Sequence, residues 1–254
     1  MSDYPPHVVQ PLHTAPVPRR VRASLAGATV LDTTSALYVW EAPYYPQYYI
    51  PKADVSEQFL VDEEHPHHIH LGSAQRYGLR VGEVSRSGVG KLFTESPVEG
   101  VAGRFRFDWD ALEHWYEEDE EVFVHPRSPY TRVDALRSTR TVRVELEGIV
   151  LAESASPVMV FETGLPTRYY LNRTEVDFRR LEPSATQTAC PYKGQTTGYW
   201  SVRSGDQLHQ DLAWAYDFPT RQLAPIAGLI AFYNEKVDTF IDGVQVERPE
   251  THFS

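Results

Sequence analysis

A chain of 254 residues, 41% hydrophobic and 12% aromatic, has room for two domains that each bury a modest core without disulfides or metal. Its single cysteine, Cys190, excludes an intrachain disulfide and favours a reducing compartment, and no apolar run reaches the length of a membrane span, so a soluble, cytoplasmic protein is expected. The formal charge of −11, without a stripe of interleaved basic and aromatic residues, argues against a nucleic-acid partner.

Residues 1–20 carry five prolines and no hydrophobic period, which predicts an extended arm. From Val21 the sequence repeats itself. Val21, Arg22, Leu25, Gly27, Val39, Glu41, Tyr48, Tyr49 and Val55 return as Val142, Arg143, Leu146, Gly148, Val160, Glu162, Tyr169, Tyr170 and Val176, an offset of 121 (162 − 41 = 121). One domain present twice follows, over 21–126 and 141–254, with 127–140 as a connector.

In the first copy, Asp54 to Leu60 suits a short helix. His65, His67, His68 and His70 resemble a metal tract; no cysteine completes the set, although carboxylates at Asp62, Glu63 and Glu64 could. A solvated loop is expected there, and no metal or cofactor is implied. The stretch from Asp108 to Glu121 holds eight acidic residues in fourteen positions. Within it, the segment from Asp108 to Glu118 sets Trp109, Leu112, Trp115 and Tyr116 in a helical stripe, yet matching Phe107 with Phe232 and Trp115 with Phe240 makes that segment the counterpart of the last hairpin of the second copy. A hairpin is therefore expected. The next block, Arg127 to Arg143, sets five arginines against Asp134 alone, and such adjacent blocks of opposite sign pair with each other or across the domains. Its Tyr, His and Arg content also makes it a candidate interdomain site.

In the second copy, Val142, Val144 and Leu146 alternate with Arg143, Glu145 and Glu147, the pattern of a strand with one wet face, and Gly148 supplies a turn. Val158 to Glu162 is apolar on both parities except for the glutamate, which predicts a strand covered on both sides. Tyr169–Leu171, Tyr199–Arg203, Leu212–Tyr216, Leu229–Tyr233 and Val237–Ile241 are further strand-like runs between turn residues. A short helix fits Thr174 to Leu181, with Thr174 as its cap. The fold class is mainly β: two homologous small domains of antiparallel sheet with at most short helices.

Glu41 and Glu162 share strand parity with Val39 and Val160, so each carboxylate points among apolar neighbours and needs a partner. That partner serves the fold, or the glutamate is a pocket acid or base. The sharpest difference between the copies is Cys190-Pro191-Tyr192-Lys193-Gly194, which stands where the first copy has His68-Ile69-His70-Leu71-Gly72. Lys193, beside a glycine turn and facing aromatic walls, suits a carboxylate or phosphate; as a desolvated amine it would attack a carbonyl. The alternative is a surface lysine over an aromatic core. Cys190 is the weaker nucleophile candidate, since no histidine in its copy is spaced for a dyad.

The strings Phe161-Glu162-Thr163-Gly164-Leu165-Pro166-Thr167-Arg168-Tyr169-Tyr170, Cys190 to Gly194, Tyr199-Trp200-Ser201-Val202-Arg203, Asp211 to Tyr216 and Ile226 to Asp238, with the connector from Trp115 to Asp134, resemble the domain-of-unknown-function 427 family in its tandem, actinobacterial form. The resemblance covers most of the chain beyond residue 20. It implies a β-rich fold akin to a curved half-barrel or tent of sheets, present twice, and no established activity. A nucleotidyltransferase label is sometimes attached to this family. It finds no support here, because neither a Gly-Ser loop with metal-binding aspartates nor a Gly-rich phosphate loop is present. The first copy lacks the Tyr-Lys-Gly and Tyr-Trp elements of the family pattern.

The expected function is binding of a small anionic or carbonyl-bearing metabolite in an aromatic pocket of the second domain, as an enzyme or as a binder. Glu162 and Lys193 are the candidate catalytic residues. Arg168, Tyr170, Tyr192, Trp200, Arg203, Trp214 and Tyr216 are the candidate ligand-binding residues. The alternative is a non-catalytic ligand-sensing or protein-interaction module using the acidic run and the arginine block. Neither a nucleic acid nor a membrane is an expected partner, and the sequence leaves the oligomeric state open.

Overall fold

Alternation decides the strands. In Val21–Leu25 and Val142–Leu146 every second side chain is buried and the intervening ones are half-exposed, the two-residue period of a sheet with one wet face. The computed structural model describes residues 6–7, 9–251 and 253–254. Part of the expected 1–20 arm therefore lies outside the described residues.

The first copy contributes β1 (Thr14–Pro16), β2 (Val21–Leu25), β3 (Ala28–Thr33), β4 (Leu37–Ala42), β5 (Tyr45–Pro51), β6 (Leu60–Ile69), β7 (Gly72–Val81), β8 (Val84–Glu95), β9 (Arg104–Phe107), β10 (His114–Glu117) and β11 (Glu120–Val122). The second contributes β12 (Val133–Arg137), β13 (Val142–Leu146), β14 (Ile149–Ser154), β15 (Val158–Glu162), β16 (Leu165–Leu171), β17 (Leu181–Ser184), β18 (Ala189–Cys190), β19 (Gly194–Gln195), β20 (Gly198–Ser204), β21 (Gln207–Ala215), β22 (Ile230–Phe232), β23 (Asp238–Ile241) and β24 (Val244–Val246). The compact units are Val8–Ser128 and Pro129–Ser254, and His7 belongs with the latter.

Each copy builds a seven-stranded and a four-stranded antiparallel sheet. The orders are β1-β4-β5-β9-β8-β7-β6 with β11-β10-β2-β3, and β12-β15-β16-β22-β21-β20-β17 with β14-β13-β23-β24. The hairpin β18-β19 is a separate two-stranded sheet in the second copy, closed by Cys190 and Gly194 where the first copy closes β6-β7 by Ile69 and Gly72. The fold is mainly β in two homologous halves, and among the described residues the helical part is confined to short 3-10 turns.

One face of each seven-stranded sheet shares a core with the four-stranded sheet: Trp40, Tyr48 and Ile50 join Val21 and Leu25, and Leu171 and Ala213 join Val142 and Ile241. Burying the valine, leucine and isoleucine side chains among these contributes about 1.5–3 kcal/mol each. The opposite face carries a second cluster, Val39, Tyr49, Leu71 and Phe93 in the first copy and Val160, Tyr170, Trp214 and Tyr216 in the second. Because Tyr48 and Tyr49 are adjacent in an extended strand, they serve opposite faces.

Several expectations need correction. Within the expected arm, Thr14–Pro16 is an edge strand on β4, and within the expected connector Val133–Arg137 is the matching edge strand on β15. An edge position tolerates Pro16, which cannot donate to a ladder. The expected short helices are each a pair of 3-10 turns, Lys52–Asp54 with Glu57–Phe59 and Arg173–Glu175 with Phe178–Arg180. The cap in the second copy is Asn172, not Thr174; its N–H meets the Glu175 carboxylate at 3.1 Å. The acidic stretch does contain the hairpin β10-β11, but Tyr116, not Trp115, is the counterpart of Phe240. Tyr116 pairs with Arg22 as Phe240 pairs with Arg143. In β15, Phe161 is 42% exposed while Glu162 is buried, so the strand is covered on both sides only as far as Val160. Among the described residues no helix is long and apolar enough to cross a membrane.

Candidate functional site

The hairpin β18-β19 carries the candidate lysine. Pro191 fixes the backbone on entry, and Gly194 takes φ +99°, a region favouring glycine. Its base is closed by Thr188 N–H donating to Thr196 Oγ1 at 2.8 Å and by Thr196 Oγ1 donating to the Thr188 carbonyl at 3.0 Å. Its tip is held from the side, because Thr220 donates its N–H to the Lys193 carbonyl at 3.0 Å and its hydroxyl to the Tyr192 carbonyl at 2.6 Å.

That scaffold turns Lys193 inward. The side chains of Lys193 and Glu162 are 9% and 7% exposed, and the ammonium donates to the Glu162 carboxylate. Cys190 Sγ lies 3.7 Å from the same nitrogen. Burial alone pushes the lysine down, but Cys190, Glu162 and Tyr170 outweigh it and raise Lys193 above its ordinary value, so it is an ammonium at neutral pH. Burial pushes Tyr170 up to about 12, against the opposing charge of Lys193, and raises Tyr216 as well. Trp214 Nε1 donates to the Tyr170 hydroxyl at 3.2 Å. Lys193, Glu162, Cys190, Tyr170, Trp214 and Tyr216 thus share one face of the second seven-stranded sheet.

Arg168, Asn234 and Glu235 form the neighbouring constellation. Arg168 donates to Glu235 at 2.5 and 2.7 Å and to the side-chain Oδ1 of Asn234. Its guanidinium lies 5.6 to 5.7 Å from the ring centres of Trp214, Tyr233 and Phe253. Burial would raise Glu235, but the hydrogen bonds and charge of Arg168, with a hydrogen bond from Thr251, hold it below its usual value. A guanidinium so fully engaged is a support for the aromatic wall.

The other candidates are not brought to this cluster. Trp200 packs against the inter-sheet core that includes Val202, Ala213 and Phe232, while its neighbour Tyr199 faces the Trp214 side and meets Tyr233 through their hydroxyls at 3.0 Å. Arg203 is exposed and paired with Glu182 at 2.5 Å. Tyr192 is half-buried at the hairpin tip.

The first copy supplies the comparison. Gln47 stands for Arg168, since Val39 pairs with Gln47 as Val160 pairs with Arg168. Leu71, fully buried beside Tyr49, precedes Gly72 as Lys193 precedes Gly194. Glu41 has found other partners, the Tyr49 hydroxyl at 3.0 Å and Arg106 at 3.1 Å. The histidine tract is exposed as expected but is not a loop: His65, His67 and His68 lie on β6, paired with β7, and His70 in the turn that follows, with His68 beside Ser73. The acidic run pairs inside its own unit: Asp119 with Arg22, His114 with Glu121, and the buried Glu117 with Arg19, Arg127, Tyr38 and Tyr48.

Sequence reading missed His7 and Glu235. A side chain at Gly164 would run into the His7 imidazole, and burial lowers the His7 pKa although Glu162 partly opposes this. Nothing in the polar N-terminal stretch signals that contact. Glu235 does carry a signal, an acid next to an apolar strand that needs a cation, and Arg168 provides it.

No curated protein matches the chain. A family model described as NTP_transf_9, Domain of unknown function (DUF427), matches residues 13–118 and again 134–243, and the two segments begin at the strands β1 and β12 that open the paired sheets. The chain therefore belongs to the DUF427 family and carries its domain twice.

Proposed function

We propose that the second domain is the working half of a bacterial, cytoplasmic protein and binds a small anionic or carbonyl-bearing metabolite at the tip of the β18-β19 hairpin. The observation that carries this reading is the buried Lys193–Glu162 pair. A buried ion pair adds little stability over a well-packed apolar contact, and the first copy builds the same sheet with Leu71 in that place. The fold does not require the pair, so its presence is best explained by chemistry.

In this reading Lys193 acts as an ammonium that donates to a carbonyl or carboxylate oxygen, and not as a nucleophilic amine. Glu162 orients it and exchanges a proton with the ligand. Half-buried Cys190 and Tyr192 form the edge through which a ligand reaches the pair, and Tyr170, Trp214 and Tyr216 form the floor. Arg168 acts through Glu235 and Trp214, and Trp200 and Arg203 stand outside the contact set.

The test is native mass spectrometry of the protein purified from its own host, with Lys193→Met and Glu162→Gln proteins verified as folded by circular dichroism. The wild type should retain a small acid or carbonyl compound that both variants lose. Retention of the same mass by the folded variants, or no binding by the wild type to a panel of carboxylates and ketones, rejects the reading.

A further inference from the structure

The first domain holds an open hollow of about 510 Å³ lined by Tyr45, Gln47, Arg106, Asp108, Trp109, Asp110 and Val124. The corresponding place in the second copy is filled. There Arg168, the counterpart of Gln47, reaches Glu235 and Asn234 beneath Trp214, Tyr233 and Phe253. Ile50 pairs with Phe105 as Leu171, 121 residues further on, pairs with Ile230, which makes Asp110 the counterpart of Glu235 (230 − 105 = 125 and 235 − 110 = 125). One scaffold therefore exists in a plugged and an open form, so the hollow is not a consequence of the fold itself.

Two aromatic rings of the lining, Tyr45 and Trp109, are each stacked on a neighbouring ring. Tyr45 stacks on His125 at 3.9 Å between ring centres, and Trp109 stacks on Trp115 at 5.0 Å. Rings held in this way present a fixed apolar surface at little cost in conformational entropy.

The polar groups select the ligand. Arg106 already serves Glu41 and Asp108, and Asp108 also receives Lys91. An anion would find no unpaired cation in the lining. Among the described residues, neither the Gln47 amide nor the Asp110 carboxylate makes a hydrogen bond or ion pair. A free amide offers two donors and an acceptor, and a free carboxylate offers acceptors only. Groups that both donate and accept, placed on a ring with an apolar C–H face, satisfy this set. A single exposed carboxylate beside Arg106 is a weak trap for a cation.

We propose that this hollow binds a neutral saccharide of one or two rings, its C–H face against Trp109 or Tyr45 and its hydroxyls on Gln47 and Asp110. The experiment titrates the full-length protein with glucose, galactose, mannose, N-acetylglucosamine, maltose, cellobiose and trehalose, followed by tryptophan fluorescence and saturation-transfer NMR. Arginine, spermidine and citrate serve as charged controls. At least one neutral sugar should bind saturably. Its Kd should rise about tenfold or more, a loss of a single good contact, in Gln47→Leu and in Asp110→Ala, both solvent-accessible positions whose folding is checked by circular dichroism. Trp109→Phe should weaken binding while keeping the stack. Binding should persist in Lys193→Met, which separates this site from the one proposed in the second domain. No response to any sugar, a response indifferent to both Gln47→Leu and Asp110→Ala, or binding of the charged controls alone overturns the proposal.

Discussion

Lys193 in the second domain and Leu71 in the first stand at one point of a shared fold, each just before a glycine of positive φ and each beside the second tyrosine of a Tyr-Tyr pair. Leu71 closes an apolar cluster. Lys193 brings a charge into the same place and must be met there by Glu162.

Removing one partner should be far worse than removing both. Lys193→Met leaves a buried carboxylate without its cation, which costs on the order of 3–5 kcal/mol, whereas a double replacement of a buried pair by well-packed apolar groups is often neutral. Urea unfolding should show Lys193→Met strongly destabilised and Lys193→Met/Glu162→Leu recovering most of the loss. Equal loss in the single and double variants would show that the charge is not what matters.

Glu117 should behave unlike the four acids that follow it. Its side chain is 1% exposed and bound to Arg19, Arg127, Tyr38 and Tyr48, so Glu117→Ala should destabilise the first domain by roughly 3–5 kcal/mol. Charge reversal at Glu118, Asp119, Glu120 and Glu121, which are exposed, should change the unfolding midpoint little. Any test of an acidic docking surface must therefore leave Glu117 intact.

Stability should fall on the alkaline side. Tyr170, raised from 10.0 to about 12 by burial, holds its proton in the folded state while the unfolded chain ionises. Its contribution is complete below about pH 10, declines between about 10 and 12, and is worth at most about 3 kcal/mol. Tyr216 and Tyr233 shift in the same direction. Denaturation measured from pH 9 upward should show this decline, and it should be shallower in Tyr170→Phe.

The acid side should report on Arg168. Glu235 is held below its usual value in the folded state, so its contribution is present above the unfolded carboxylate pKa and is lost as pH falls through the folded one. Arg168→Gln, the residue of the first copy, removes that cation and should move the acid unfolding of the second domain to higher pH. An unchanged acid midpoint would refute the assignment.

Much of the fold was legible because its cause is local. Alternation in Val142–Leu146, the turn at Gly148 and the 121-residue offset each follow from neighbouring residues, and they led to antiparallel sheets in two copies. Glu162 was legible as an inward carboxylate from strand parity alone. Errors came where the cause lies outside the segment: Thr14–Pro16 and Val133–Arg137 are strands because an unpaired sheet edge is there to receive them, and nothing in their own composition says so.

The site divides along the same line. The sequence by itself determined the family, the duplicated β domain and the residue types at the hairpin tip, since these depend on order and spacing. Only the tertiary structure decided that Arg168 is consumed by Glu235, that Lys193 meets Glu162 and Cys190, that Trp200 faces the other core, and that the open hollow belongs to the first copy. Those outcomes depend on which side chains converge from strands distant in the chain, and burial then determines which charges are neutralised and which polar groups remain free.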